Sequence, residues 1–395
     1  MSEHLMQNYT RLPVTFTRGD GVYLWDSEEH CYLDALAGIA VCSLGHAHPD
    51  ITRALCDQAG TLLHTSNLYN IEWQQQLADK LCKLAGLDKA FFCNSGAEAN
   101  EAAIKIARRY GNRQQSGCPT IIVMEGSFHG RTLATLTATG NPKAKEGFAP
   151  LVEGFLRAPY GDIAAVEKLG AENSDICAIL VEPVQGEGGI RIPEPGYLQA
   201  LRNICDERNW LLMLDEIQSG MGRTGKWFAF QHEPVKPDVI TLAKALGNGV
   251  PIGACLARGI AADMFQPGSH GTTFGGNPLA SRVALTVISA IEHGDLVHRC
   301  EILGKRMLDK ISQLLGDVDG VADIRGKGLM LGIELDRPCA ELVQQALAAR
   351  LLINVTAGNV VRLLPPYIID DEQADAIVEG VSDLIINFLR NQNAA

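Results

Sequence analysis

The chain has 395 residues, room for two or three ordinary domains and an extensive core. Hydrophobic residues at 46% and charged residues at 20% describe a folded globular chain, and no run of 18 apolar residues suggests a membrane span. Basic residues number 34 against 46 acidic ones, giving a net charge of −12 without like-charge clusters, which argues against nucleic acid or an anionic membrane as the main partner.

Residues 1–14 carry Glu3, His4 and Arg11 and have no apolar stretch of signal-peptide length. The eleven cysteines are odd in number and scattered, and they form no C-x-x-C pair. The expectation is a reduced, cytoplasmic protein with neither a disulfide framework nor a zinc ribbon. Residues 21–36 alternate apolar and polar in V-Y-L-W-D and C-Y-L-D-A-L, which predicts a small hairpin. Four short, continuously apolar runs follow at 120–124, 176–181, 210–214 and 238–242, the pattern of strands buried on both faces of a mainly parallel sheet. Helical stretches at 97–110 and 196–208 lie among them, so the fold class expected is α/β, a large sheet flanked by helices. Beyond about Asn277 the pattern changes to helices at 279–293 and 295–315, a strand-like run at 328–335 and a last helix at 372–389. The expected organisation is a large domain over 61–278 and a smaller α+β domain over 279–395, which residues 1–60 join.

Two motifs mislead. G-M-G-R-T-G at 220–225 fits a dinucleotide fingerprint formally, but the following K-W-F-A-F-Q-H-E-P-V-K-P-D contains two prolines where a helix is required. It also fails as a phosphate loop for nucleoside triphosphates, because Trp227 stands where Ser or Thr is needed. His46 and His48 in G-H-A-H-P have no cysteine or carboxylate constellation to complete a metal site, so turn and capping roles are expected and no metal is.

Three features carry chemistry. Asp215 ends an apolar strand, and ligands of open α/β sheets sit at that edge. Lys244 ends another strand and is the one charge between Thr241 and Leu256, a costly placement for a lysine without a task. In F-F-C-N-S-G-A-E-A-N-E-A-A-I-K (91–105), a Ser-Gly turn opens a helix whose free amides suit a phosphate. Pyridoxal phosphate needs this set: a lysine for its aldehyde, an acid to keep its ring nitrogen protonated, and a phosphate cradle.

The chain resembles the class III, fold type I pyridoxal-phosphate aminotransferases, the group of acetylornithine, ornithine and 4-aminobutyrate aminotransferases. The likeness spans nearly the whole chain and rests on eight motifs in the family's order. They are G-H-A-H-P (45–49), N-S-G-A-E-A-N-E-A-A-I-K (94–105), S-F-H-G-R (127–131), V-E-P-V-Q-G-E-G-G (181–189), L-D-E-I-Q-S-G-M-G-R-T-G (214–225), T-L-A-K-A-L-G-N-G (241–249), H-G-T-T-F-G-G-N-P-L-A (270–280) and V-R-L-L-P-P (361–366). The resemblance implies that Lys244 is the Schiff-base lysine and proton carrier, that Asp215 pairs with the pyridinium nitrogen, and that Gln218 lies near the ring hydroxyl. Phe128 would cover one ring face and Ile217 the other. The amides of Gly96 and Ala97 would meet the phosphate, joined by Thr273 of a neighbouring subunit, which implies a homodimer with shared active sites.

By family position Arg131 would hold the distal carboxylate shared by glutamate and the ornithine skeleton, with Thr272 also at the substrate. Glutamate carries a second carboxylate on its reacting carbon, which Arg362 would bind, while Glu187 pairs with Arg362 whenever an ω-amine is in place. Ornithine aminotransferases look to have a tyrosine where this chain has Ile39, so an N-acylated ornithine is the favoured donor. The reaction expected is transfer of the 5-amino group of N2-acetylornithine to 2-oxoglutarate, giving N-acetylglutamate 5-semialdehyde and glutamate, as in arginine biosynthesis. Succinylornithine, succinyldiaminopimelate and 4-aminobutyrate are the alternative donors.

Overall fold

The computed structural model describes residues 4–115 and 117–393. Its largest layer is a seven-stranded sheet in the order Lys89–Cys93, Gly253–Ala257, Val239–Leu242, Leu211–Asp215, Ile176–Val181, Thr120–Met124, Phe155–Ala158. Gly253–Ala257 runs antiparallel to both neighbours, and the strands from Val239–Leu242 to Phe155–Ala158 are parallel. The central strands are buried at every residue. Alternate side chains divide between two cores: Ile122, Ile179, Leu212 and Ile240 on one face, Ile121, Ala178, Met213 and Val239 on the other. Each Val, Leu, Ile or Met among them contributes about 1.5–3 kcal/mol when removed from water. This two-sided demand is why the runs are continuously apolar rather than alternating.

Helix Gly96–Arg113 covers one face with small residues, among them Ala99, Ala102, Ala103 and Ala107. Ser95 caps it by accepting the Glu98 amide at 3.2 Å, and the Glu98 carboxylate reaches back to the Asn94 amide at 2.5 Å. The amides of Gly96 and Ala97, at the first two helical positions, have no acceptor within the helix and face outward.

Two further sheets have four strands each. One joins the N-terminal strands Phe16–Asp20, Tyr23–Asp26 and Cys31–Asp34 to Leu351–Leu352. The hairpin is therefore real, with a third strand before it, and chain beyond residue 350 completes its sheet. The other runs Val321–Lys327, Met330–Leu335, Val360–Leu363, Asn354–Thr356. Helices Pro278–His293, Leu296–Leu315 and Asp371–Asn393 lie within one or two residues of their predicted bounds at most ends, the last running four residues further. Among the described residues no helix is long and apolar enough to cross a membrane, and all eleven cysteines are unpaired.

The G-M-G-R-T-G segment is structural. Gly222 and Gly225 have φ of 97° and 88°, a tight turn that no helix follows, only the short 3-10 turn Ala229–His232. Arg223, fully buried, donates to Leu329 O at 3.2 Å, Pro365 O at 2.5 Å and Ser43 Oγ at 2.9 Å, knotting three distant segments together. His46 pairs with Asp34 at 2.8 Å, a bond that with the neighbouring Cys42 thiol raises its pKa to about 9. His48 stands at the N-cap of helix Pro49–Ala59.

Candidate active site

At the carboxyl edge of the large sheet lies a cavity of about 390 Å³, and chain from the ends of five of its strands converges there. Gly96, Ala97, Phe128, Arg131, Glu187, Asp215, Ile217, Gln218 and Lys244 line it. Lys244 follows strand Val239–Leu242 on the cavity wall in a left-handed conformation, φ 47°, that costs a non-glycine residue free energy. Burial lowers its pKa to about 8, against the attraction of Glu187, Asp215 and Glu182. A substantial neutral fraction at physiological pH suits a nucleophilic amine.

Asp215 is 3% exposed and is held by three donors. Asn100 Nδ2 reaches Oδ2 at 2.7 Å, His129 Nδ1 lies 2.8 Å from the same oxygen, and the Ile217 amide reaches Oδ1 at 3.1 Å. Asn100 also donates to His129 O at 2.8 Å and accepts the Thr241 hydroxyl at 2.7 Å. The three contacts to Asp215 fix the orientation of its carboxyl group on the cavity wall, where a cationic ring nitrogen would need it.

Gly96 faces Ile217: a Cβ at position 96 would come within 2.8 Å of Ile217 Cδ1. Position 96 thus has no room for a side chain, and glycine lets the start of the helix lie against the Ile217 wall of the cavity. Phe128 and Ile217 supply apolar surface in the cavity. Two free amides at a helix N-terminus, an amine, an anion and flat apolar walls fit the phosphate, aldehyde, ring nitrogen and ring faces of pyridoxal phosphate.

Arg362 stands one layer behind the cavity wall, fully buried. Its Nη1 bonds Glu187 Oε1 at 2.6 Å and Gln218 Oε1 at 3.3 Å, and its Nε bonds Asn354 Oδ1 at 2.9 Å. Nη2 is buried without a hydrogen-bond partner among the described residues. Burial acts to raise the pKa of Glu187, but the Arg362 guanidinium overcomes it and lowers the value. Arg131 is exposed at the mouth, 5.4 Å above the Phe128 ring, and has no carboxylate partner among the described residues. Thr272 and Thr273 do not line the cavity of their own chain: Thr272 accepts from Asn94 at 3.1 Å, and Thr273 is exposed.

Sequence reasoning passed over three residues here. Glu182 is a buried carboxyl on the cavity wall, held by the Phe128 and Gly186 amides at 3.0 and 3.2 Å. Burial and the Asp215 charge raise its pKa to about 8. The signal was present, since Glu182 ends the run I-C-A-I-L-V much as Asp215 ends its own strand. His129 and Asn100 gave less: a histidine inside the S-F-H-G-R motif and an amide among alanines on the buried side of a helix.

Fold and site together define an aminotransferase of the pyridoxal-phosphate-dependent kind, with the amine, the anion and the helix terminus at one sheet edge. The chain belongs to the Aminotransferase class-III family, whose sequence pattern matches residues 5–385. It is 58% identical over 389 residues to an acetylornithine aminotransferase of Nitrosomonas europaea, covering 98% of this chain and 99% of that one. Among solved structures, the ornithine aminotransferase of Toxoplasma gondii ME49 superposes with a TM-score of 0.94 at 34% identity, covering 98% of this chain and 94% of that one. An acetylornithine aminotransferase from Elizabethkingia anophelis gives 0.86 at 36%, with 97% and 96% covered.

Proposed function

We propose that this enzyme transfers the 5-amino group of N2-acetylornithine to 2-oxoglutarate, yielding N-acetylglutamate 5-semialdehyde and glutamate, in the cytoplasm and in arginine biosynthesis. The observation that carries the reading is the Glu187–Arg362 pair, with Arg362 Nη2 buried and partnerless beside the lysine cavity. An amine donor reacting at its ω-carbon meets a neutralised Arg362. Glutamate, whose reacting carbon bears a carboxylate, meets a cation once Glu187 turns away. The unpaired Arg131 at the mouth holds the carboxylate that both substrates present at their other end. One site therefore serves both half-reactions.

When bound, pyridoxal phosphate supplies an electron sink for the bond being broken at the reacting carbon. The protein's residues do the rest. Gly96 and Ala97 present their amides to the phosphate, and Thr273 of the partner subunit completes that cradle. Phe128 and Ile217 would cover the ring faces, Gln218 would face the ring hydroxyl, and Asp215, oriented by Asn100, His129 and the Ile217 amide, would pair with the ring nitrogen. Lys244 Nζ, an amine on the cavity wall, would accept the proton leaving the reacting carbon and hold it for return.

A homodimer is supported by the exposed apolar surface around Thr273. Leu62, Leu63, Leu68, Tyr69 and Phe274 are exposed there, and Asn67 ties the two loops together by donating to Thr272 O at 3.2 Å and Gly275 O at 3.1 Å. For the donor, backbone shape is not decisive, since the ornithine enzyme superposes more closely at lower identity. The acetyl-capped substrate is favoured by 58% identity to an acetylornithine enzyme and by Ile39, an apolar residue packed with Val184 and Ile190 next to the Glu187 loop. The test is steady-state turnover of N-acetylornithine with 2-oxoglutarate beside Lys244→Ala. Turnover in the parent that vanishes in the variant is expected, and a variant that keeps near-parental turnover contradicts the reading.

A further inference from the structure

Arg362 lies on the inner strand Val360–Leu363 of its four-stranded sheet, directly opposite Gly332 on one side and Asn354 on the other. Arg325 stands opposite Gly332 on the outer strand Val321–Lys327. Directly paired residues of antiparallel strands share a face, so one row reads Arg325, Gly332, Arg362, Asn354. Gly332 leaves the space beside the guanidinium to Ile190, whose Cβ would sit 3.0 Å from a Cβ at position 332. On the other side Asn354 Oδ1 accepts Arg362 Nε at 2.9 Å.

That bond fixes an orientation. A guanidinium can grip a carboxylate through its Nε side or through its Nη1–Nη2 end. With Nε engaged by Asn354, only the Nη end is free to act, and that end is where Glu187 and the unpartnered Nη2 are found. Thr356 in the next row of the same face and Arg325 in this row restrain the other half of the pair. Thr356 Oγ1 donates to the Glu187 carbonyl at 2.6 Å, and Arg325 donates to the carbonyls of Gly189 at 2.6 Å and Ile190 at 3.0 Å. The backbone carrying Glu187 is anchored at three carbonyls, which leaves the Glu187 side chain as the part that moves. Once it has moved, Asn354 and Gln218 are the neutral acceptors still holding a fully buried cation.

We infer that Asn354 is a specificity-determining positioning residue, which holds the Nη end of Arg362 toward the α-carboxylate of the dicarboxylic substrate while Glu187 is turned away. The inference rests on reading Arg362 and Glu187 as the substrate gate. It predicts an effect on one half-reaction only, because in the amine half-reaction Glu187 itself orients Arg362.

The test uses Asn354→Leu, close in size and without an acceptor, and Arg362→Leu in parallel, both as cofactor-loaded enzyme. Single-turnover absorbance changes are followed with glutamate and, separately, with N-acetylornithine. Asn354→Leu should weaken glutamate binding about tenfold or more, the worth of a hydrogen bond to a charged group, and leave N-acetylornithine within about twofold. The resting visible band should be unchanged. Equal losses in both half-reactions, or a shifted resting band, would mean a merely structural role and overturn the inference. Should Arg362→Leu lose glutamate while Asn354→Leu does not, the inference fails and the gate stands. If Arg362→Leu keeps glutamate, the gate reading falls and takes the inference with it. If the leucine variant does not fold, Asn354→Ser, too short to reach Nε, is judged by the same outcomes.

Discussion

Removing Glu187 should turn an enzyme that accepts two kinds of substrate into one biased toward dicarboxylates, and the size of the bias follows from the structure. In the resting site, glutamate can reach Arg362 only by displacing the 2.6 Å contact with Glu187. A hydrogen bond between charged groups contributes about 1.5–3 kcal/mol. The Glu187 side chain is 35% exposed, so water screens part of this and the lower half of the range, about 1.5–2 kcal/mol, applies. Glu187→Ala should therefore bind glutamate about 10- to 30-fold more tightly. The amine half-reaction should lose a comparable factor, because a cationic donor then approaches an unneutralised guanidinium. The ratio of the two half-reactions should move toward glutamate by about 10² to 10³ in all. Stopped-flow absorbance, with glutamate or N-acetylornithine added to cofactor-loaded enzyme, reads both constants. An unchanged ratio would refute the gating argument even if both rates fell.

Further predictions concern the lysine and the fold. Burial lowers the Lys244 pKa to about 8, so below that pH the amine of the apoenzyme is mostly protonated and cannot attack an aldehyde. The rate at which apoenzyme captures pyridoxal phosphate should therefore rise with pH through about 8 and level off above it, and a midpoint near 10.5 would mean that the lysine is solvated. In the pH dependence of apoenzyme stability, Lys244 binds fewer protons folded than unfolded between about 8 and 10.5. Its contribution should thus rise with pH across that window, as denaturant titrations of parent and Lys244→Met would show. Arg223→Met deprives two carbonyls and a hydroxyl of their buried donor and should cost at least about 3 kcal/mol; a chemical-denaturation midpoint equal to that of the parent would contradict the structural role given to this motif.

Some of this architecture was legible in the sequence for definite reasons. Strands Thr120–Met124 and Ile176–Val181 were predicted to the residue, because burial on both faces leaves no polar position to blur the boundary. Gly253–Ala257 escaped because G-A-C-L-A is short and mostly small, and only its neighbours on both sides make it a strand. Phe155–Ala158 is an edge strand interrupted by Arg157, whose guanidinium bonds the Ala138 and Thr137 carbonyls instead of water. In the site, single charges at the ends of apolar runs pointed to Asp215 and Lys244. The residues that hold Asp215 and Arg362 in place, Asn100, His129 and Asn354, gave no such sign. Their partners lie 115, 86 and 8 positions away, and even the last pairing depends on a strand register that sequence alone does not set.

The most direct test of the proposed activity is a comparison of amine donors in the absence of any keto acid. Cofactor-loaded enzyme is mixed with N-acetylornithine, succinylornithine, ornithine or 4-aminobutyrate, and loss of the resting visible band is timed. Rapid loss with the acylated ornithines and slow loss with free ornithine is the predicted result. Faster loss with free ornithine or 4-aminobutyrate would contradict the substrate assignment and the weight given to Ile39, and absence of a visible band in the loaded enzyme would contradict the role of Lys244.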